Sequence, residues 1–277
     1  MTICIAALCD KAKSCVVAAD REITAPALSL EFEHRESKID LLSKKCVVMS
    51  SGDTLLMAEI ISKTRFAIPA GKEATILSLA EKLRDTYMTI HLERAESVIL
   101  RPRGFNFQDF KEKGAQQLSP LIYQEISNQL FAFGINIIDF LVAGVDNTGS
   151  HIFRVHYNGV LGGSWLEWCD KLGHREIGTG ALHASIFLSI EGQYSGLDVE
   201  ETIYKIFCAK KIAELAPGVG PSTDLAIISE DGVVFADKKM FDALSSLHND
   251  AKKNKPDLSK IKSIYEQTHK DNTYIPS

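Results

Sequence analysis

The sequence predicts an α+β fold, a four-layer αββα sandwich in which two antiparallel sheets face each other and helices cover both outer sides. Three observations lead there. Predicted elements run strands, helices, strands, helices, strands along the chain. Several strand segments are apolar almost without alternation, so both of their faces need cover. Packing sheet on sheet with helices outside buries all of them. The 277 residues, 45% of them hydrophobic, suffice for one sizeable core. No internal repeat, low-complexity tract or clear linker divides the chain. Residues 1–236 are therefore expected to form one domain, and residues 237–277 a Lys-rich, moderately helical C-terminal extension.

Each element has a local cause. ICIAALC at 3–9 and CVVAA at 15–19, joined by the polar turn DKAKS, predict a hairpin covered on both faces. KCVVMSS at 45–51 predicts a further buried strand that runs into Gly52 and Asp53. Asp53 is placed to N-cap a helix over 54–68. Between 73 and 95, Ile76, Leu79, Ala80, Leu83, Tyr87 and Ile90 share one helical face. RPRGFNFQDFKEKGAQQ at 101–117 is polar with interspersed aromatics and predicts an inserted loop or broken helix, its aromatics packing locally rather than lining a ligand box. SPLIYQEISNQLFAF at 119–133 is helical again. DFLVAGVD (139–146), the turn Asn147-Thr148-Gly149 and SHIFRVHY (150–157) give a strong hairpin signal, and GSWLEW (163–168) a third strand. After REIGTGA two helices follow. One spans 181–192; the other opens with Asp198 and Glu201 in capping-box spacing, runs to about Leu215 and is stopped by Pro217 and Gly218. TDLAIIS (223–229) and GVVFA (232–236) form a last hairpin.

Composition excludes several functions. A net charge of -5 argues against a nucleic-acid partner. The six cysteines, at 4, 9, 15, 46, 169 and 208, contain no CxxC, and Cys4, Cys9 and Cys15 lie in or beside apolar runs. They read as buried, reduced thiols, which suits a cytoplasmic protein. Residues 1–9 carry no Lys or Arg, unlike the start of a signal peptide, and no apolar run approaches the ~20 residues that span a bilayer. A soluble, cytoplasmic protein with no membrane partner is expected. His151 and His156, five apart on a strand, point to opposite faces and make poor co-ligands; HExxH is absent, and GVGPST lacks the lysine of a phosphate-binding loop. No metal or cofactor is expected.

One constellation carries chemistry. Thr2 directly precedes a buried strand, and its small side chain favours removal of Met1. The product would hold a free α-amine and a β-hydroxyl on one residue. An α-amine of pKa about 7.7–8.0 is partly neutral near pH 7 and can take the hydroxyl's proton. Asp20 ends the second strand of the same hairpin, in AADR, and so lies beside Thr2. Lys38 stands in SKIDLL and Gly52 at a strand-to-helix turn in SSGD. Lys38 would keep the amine neutral by like-charge repulsion and stabilise the alkoxide. Asp20 would fix and balance Lys38. The Gly52 N–H would donate to the oxyanion, a contribution of about 3–4 kcal/mol in other hydrolases.

These motifs resemble the β-type subunits of the proteasome, HslV and the bacterial Anbu group, within the N-terminal nucleophile (Ntn) hydrolases. The Lys38-to-Gly52 interval matches that family. Thr2-to-Asp20 and Asp20-to-Lys38 are each two residues longer, and an added pair in a hairpin turn preserves register. FLVAGVDNTGSHIFRVHYNG is similar to a family hairpin, and VEETIYKIFCAKKIAEL to the helix before the last one. IGTGALHA resembles the segment where a hydroxyl supports the nucleophile, which puts Thr179 in that role. The likeness covers roughly residues 2–236. It implies a threonine-type hydrolase of peptide bonds in a self-compartmentalising homo-oligomer, a ring or helical assembly; an ATPase partner is left unspecified. It puts Ser222 at the serine of the loop after the long helix. The acid usually found three residues earlier is replaced by Val219, so either Asp224 substitutes or that support is missing. Ser50 matches a position that shapes the specificity pocket, where a small residue leaves it deep. Two other readings are a hydrolase of small amides on the same fold, and a catalytically inactive scaffold or binding subunit, which a retained Met1 would favour.

Overall fold

The leading hairpin sets the architecture. In the computed structural model, which describes residues 2–25, 30–69, 74–158 and 163–253, the chain is a mixed α/β protein with two five-stranded antiparallel sheets. Its elements are β1 (Ile3–Cys9), β2 (Ser14–Ala19), β3 (Glu22–Ala25), β4 (Leu30–Glu33), β5 (Ile39–Ser43), β6 (Cys46–Gly52), α1 (Thr54–Ala67), α2 (Ile76–Ala95), α3 (Phe107–Gln117), α4 (Pro120–Ala132), β7 (Ile138–Asp146), β8 (Gly149–Asn158), β9 (Gly163–Trp168), β10 (His174–Gly178), α5 (Ala181–Ile190), α6 (Val199–Ala213), β11 (Asp224–Ser229), β12 (Gly232–Phe235) and α7 (Lys238–Lys253). One sheet has the order β10-β1-β2-β11-β12, the other β5-β6-β7-β8-β9, and β3 pairs with β4. The chain divides into units 1–236 and 237–277. In the second unit α7 is described; the rest of the predicted extension, 254–277, lies outside the described residues.

Every residue of β1 and β2 is buried, as an apolar run without alternation requires. Cys4, Ala6, Leu8, Val17 and Ala19 share a core with Val47, Met49, Leu141, Ala143 and Ile152 of the other sheet. Successive strand residues face opposite ways, so Val48, Phe140, Val142, Phe153 and Val155 turn to a second core with Ile60 of α1 and Leu79, Leu83, Tyr87 and Ile90 of α2. On the first sheet α6 packs on β1 and β2, and α5 on β10. Among the described residues, no helix is long and apolar enough to cross a membrane. All six cysteines are buried, and none is in a disulfide.

The structure corrects the sequence reading in three places and decides between two alternatives in a fourth. Residues 174–178, which take in the first four residues of the unassigned REIGTGA, form β10, which pairs with β1 from Ile3↔Gly178 to Ala7↔His174. β3, β4 and β5 were likewise unassigned. Of the two alternatives for 101–117, the broken helix is the one found: a 3-10 turn at Arg101–Arg103 precedes α3, which the Asn106 side chain caps at 2.7 Å and whose Phe110 turns into a satellite core with Ile99, Leu100 and Ile126. The aromatics of 105–110 thus pack locally: Phe110 stacks on Tyr123 at 4.9 Å and meets Phe105 edge-on at 6.0 Å. α6 begins after Asp198, but the Asp198 side chain makes no capping bond.

Candidate active site

Antiparallel pairing of β1 with β2 matches Cys4 to Ala19, which leaves Asp20 just past the end of β2 and beside the start of β1. The Asp20 N–H closes the ladder on Ile3 O at 3.2 Å. Thr2 is only 3% exposed and Asp20 not at all. A carboxylate with no access to water needs donors from the protein. Oδ1 of Asp20 accepts from the Thr2 hydroxyl, from Ile3 N–H at 3.1 Å and from Lys38 Nζ at 2.7 Å. Oδ2 accepts from Gly220 N–H at 3.1 Å and from Glu22 N–H at 3.3 Å.

Lys38 enters from the segment before β5. Its ammonium has three protons and meets three acceptors: Asp20 Oδ1, the Glu22 carbonyl at 2.5 Å, and Thr2 Oγ1. The Thr2 hydroxyl is therefore held from both sides, donating to a carboxylate and accepting from an ammonium. The ammonium favours negative charge on Oγ1 while the carboxylate opposes it, and the two together fix where the oxygen points.

Thr179 follows β10. Its hydroxyl accepts from Thr2 N–H at 3.3 Å and can donate to Thr2 O at 3.3 Å or Pro217 O at 3.4 Å. The preceding Gly178 makes this approach possible: it has φ +98°, and a Cβ there would lie 2.2 Å from Thr2 O. Gly52 ends β6 opposite Ile138, with φ +134°, one residue before the Asp53 cap of α1. The end of β6 runs beside β1, where Cys4 Sγ donates to Ser50 O at 3.6 Å. Ser50 and Lys38 line one cleft of ≈ 260 Å³ with Thr54, Met57, Ile61 and Arg65. Burial pushes the neighbouring Cys4 thiol up to about 12, so it is protonated at neutral pH.

Among the described residues no hydrogen bond ties Gly52 to Thr2, Asp20 or Lys38, and two further expected residues bond elsewhere. The Ser222 hydroxyl donates to Glu33 at 2.8 Å, and its N–H to the same carboxylate at 2.9 Å, which holds Glu33 below the usual carboxylate range. Asp224 is taken by the Arg21 guanidinium, with Nε 2.9 Å from Oδ2 and an NH2 nitrogen 2.5 Å from Oδ1. What the loop between α6 and β11 brings to Asp20 is a backbone amide, that of Gly220.

Three contributors were missed by sequence reasoning: the Glu22 carbonyl, the Gly220 N–H and Lys210. Lys210 of α6 is fully buried, its Nζ 2.6 Å from Glu214 Oε1 and 2.7 Å from Gly220 O. Burial pulls its pKa below the usual lysine value, while Glu214 acts against that. A Lys-Lys pair on a helix reads as a solvated face. Lys210 nevertheless stands four residues after Ile206 and three before Ala213, both fully buried, and that spacing marks the core side of α6. The chain matches no family model, and no curated protein is a significant match to it.

Proposed function

We propose that the chain is a threonine-type hydrolase of amide bonds, with peptides as substrate class, and that Thr2 becomes its first residue. The fold that goes with this reading is the four-layer αββα sandwich of the proteasome-like Ntn hydrolases. It is supported by one core shared between the two sheets and a second core between the β5–β9 sheet and α1 and α2. The observation that carries the function is the Thr2 hydroxyl bonded to both Lys38 and Asp20 at the leading end of a buried strand.

Met1 lies outside the described residues, and its loss is part of the proposal. The freed α-amine takes the place of the peptide nitrogen that now lies 3.3 Å from Thr179 Oγ1. Thr2 Oγ1 attacks the substrate carbonyl carbon and its proton passes to the amine. The amine then protonates the leaving nitrogen, the C–N bond breaks and an ester to Thr2 remains. Water attacks that ester, releases the acid and returns the proton to Oγ1. Lys38 stabilises the charge on Oγ1, and the Gly52 N–H is assigned to the oxyanion. The cleft lined by Ser50, Met57 and Ile61 receives the side chain on the acyl side of the scissile bond.

The test has two parts. Intact mass of the protein from its natural host is expected to fall short of the full sequence by one methionine. Fluorogenic peptides are expected to be cleaved, and Thr2→Ala to lower turnover by at least about a thousandfold. A retained Met1 overturns the mechanism and leaves the scaffold reading; full activity in T2A overturns it too and assigns the turnover to a nucleophile other than Thr2. Cleavage of simple acyl-amides but not peptides moves the substrate class to small amides. The homo-oligomeric assembly is part of the same proposal, and light scattering that finds a particle of one chain's mass removes it.

A further inference from the structure

The loop between α6 and β11 presents the Gly220 N–H to Asp20 Oδ2 at 3.1 Å. A Cβ at 220 would lie 2.7 Å from Glu22 Oε2 and 3.0 Å from Glu22 Cβ, so a larger residue there requires the Glu22 side chain to move. On the other side of the same residue, the Gly220 carbonyl accepts from Lys210 Nζ at 2.7 Å. Lys211 repeats the contact one residue on, donating to Pro221 O at 3.2 Å and sharing Glu214 Oε1 at 2.8 Å. α6 thus grips two consecutive carbonyls of the loop. Pro221, with its fixed φ, limits how far the chain between them can turn.

Packing does not account for a lysine here. An ammonium taken wholly out of water is costly unless it is paired and hydrogen-bonded, and an aliphatic side chain would fill the space without that cost. What the lysine adds is a grip on one carbonyl and a positive charge that acts on Asp20 from the loop side, while Lys38 bonds it directly. We propose that Lys210 is a positioning residue for Asp20: by clamping Gly220 it fixes the N–H that occupies Oδ2, which keeps Oδ1 turned to Thr2, Ile3 and Lys38. The kinetic consequence rests on the hydrolase reading; the clamp does not.

The experiment compares full-length wild type, Lys210→Met and Lys210→Arg by amide hydrogen exchange, read at Gly220 by NMR. In K210M the Gly220 amide is expected to exchange at least about tenfold faster, with β1 and β2 amides unchanged. K210R keeps charge and donors and is expected to recover part of the protection. In turnover assays K210M is expected to lose about tenfold in kcat with KM nearly constant, since the substrate cleft is untouched. Unchanged Gly220 exchange in folded K210M overturns the clamp. If K210M does not fold, the unaltered protein decides: with 15N-labelled lysine, the Lys210 ammonium is expected to exchange more slowly than surface lysines, and equal rates overturn the proposal. The exchange readout needs no substrate. Absence of Thr2-dependent turnover in the wild type therefore sinks the hydrolase reading alone. Lost turnover in K210M with Gly220 exchange unchanged sinks the clamp alone.

Discussion

Asp20 and Lys38 are unequal partners. Asp20 has no exposure and satisfies two oxygens with donors from Thr2, Ile3, Glu22, Lys38 and Gly220. The Lys38 side chain is 16% exposed, so water can reach it if its partner is lost. Lys38→Met leaves the carboxylate with three backbone amides and a hydroxyl. Asp20→Asn leaves an ammonium without its counter-charge and places an NH2 where donors already point. Removing one member of a buried pair costs about 3–5 kcal/mol; in K38M four donors still serve the carboxylate, whereas in D20N donor faces donor, and water reaching Lys38 offsets only part of that cost. D20N is therefore expected to lose more stability than K38M in urea unfolding, by about 1–2 kcal/mol. The reverse order would mean that the backbone amides do not solvate the carboxylate. Thr2 and Asp20 were legible as neighbours because a hairpin of two unbroken apolar runs fixes its own register; Lys38, outside that hairpin, was placed beside them by its motif and spacing. The placement of Ser222 was not, since its sequence position says nothing of Glu33, which reaches it from β4.

At the scale of elements, legibility followed the apolar signal. β1, β2, β6, β7 and β11 are near-continuous apolar runs, and all were readable; β8, more polar, was readable from the Asn147-Thr148-Gly149 turn before it. β10 was not, because HREIG holds a single large apolar residue. Its place is set instead by pairing with β1 and by Gly178, whose lack of a side chain admits Thr2. β3 and β4 place Glu22 opposite Glu33, a pair that local propensity disfavours. α3 was obscured for a related reason: its apolar positions are few, and they serve a small core of their own. Phe110 is the centre of that core, 6% exposed and in ring contact with Phe105 and Tyr123. Phe110→Ala is expected to cost about 3–5 kcal/mol in the α3–α4 region and to leave Thr2-dependent turnover unchanged. Chemical denaturation and a turnover assay check the two halves. An undiminished stability would show that the satellite core carries no weight, and a loss of turnover would tie it to the site.

For the whole molecule, the buried thiols determine how stability responds to alkali. Burial pushes Cys4 and Cys9 up to about 12 and Cys169 up to about 11, and it raises Cys15 and Cys46 as well, all from a usual value of 9.0. Below 9.0 both native and unfolded chains keep these protons, and the full stability is present. Above it the unfolded chain releases protons that the native chain retains, so stability falls as pH rises towards the native values. Each thiol contributes at most about 1.4 kcal/mol per pH unit in that window. Lys210 acts in the opposite sense. Its native pKa lies below the unfolded value of 10.5, so the cost of burying its charge is present at neutral pH and relieved as pH rises. One such group stands against five thiols, and the net slope is downward. Urea unfolding between about pH 9 and 10.5 is expected to show this fall, and Cys46→Val to make it shallower by up to about 1.4 kcal/mol per pH unit. Lys210→Met should make it steeper. Parallel curves for wild type and C46V would mean that Cys46 ionises as readily inside the sheet as outside it. That result would contradict the water-free packing from which the placement of Thr2, Asp20 and Lys38 is argued.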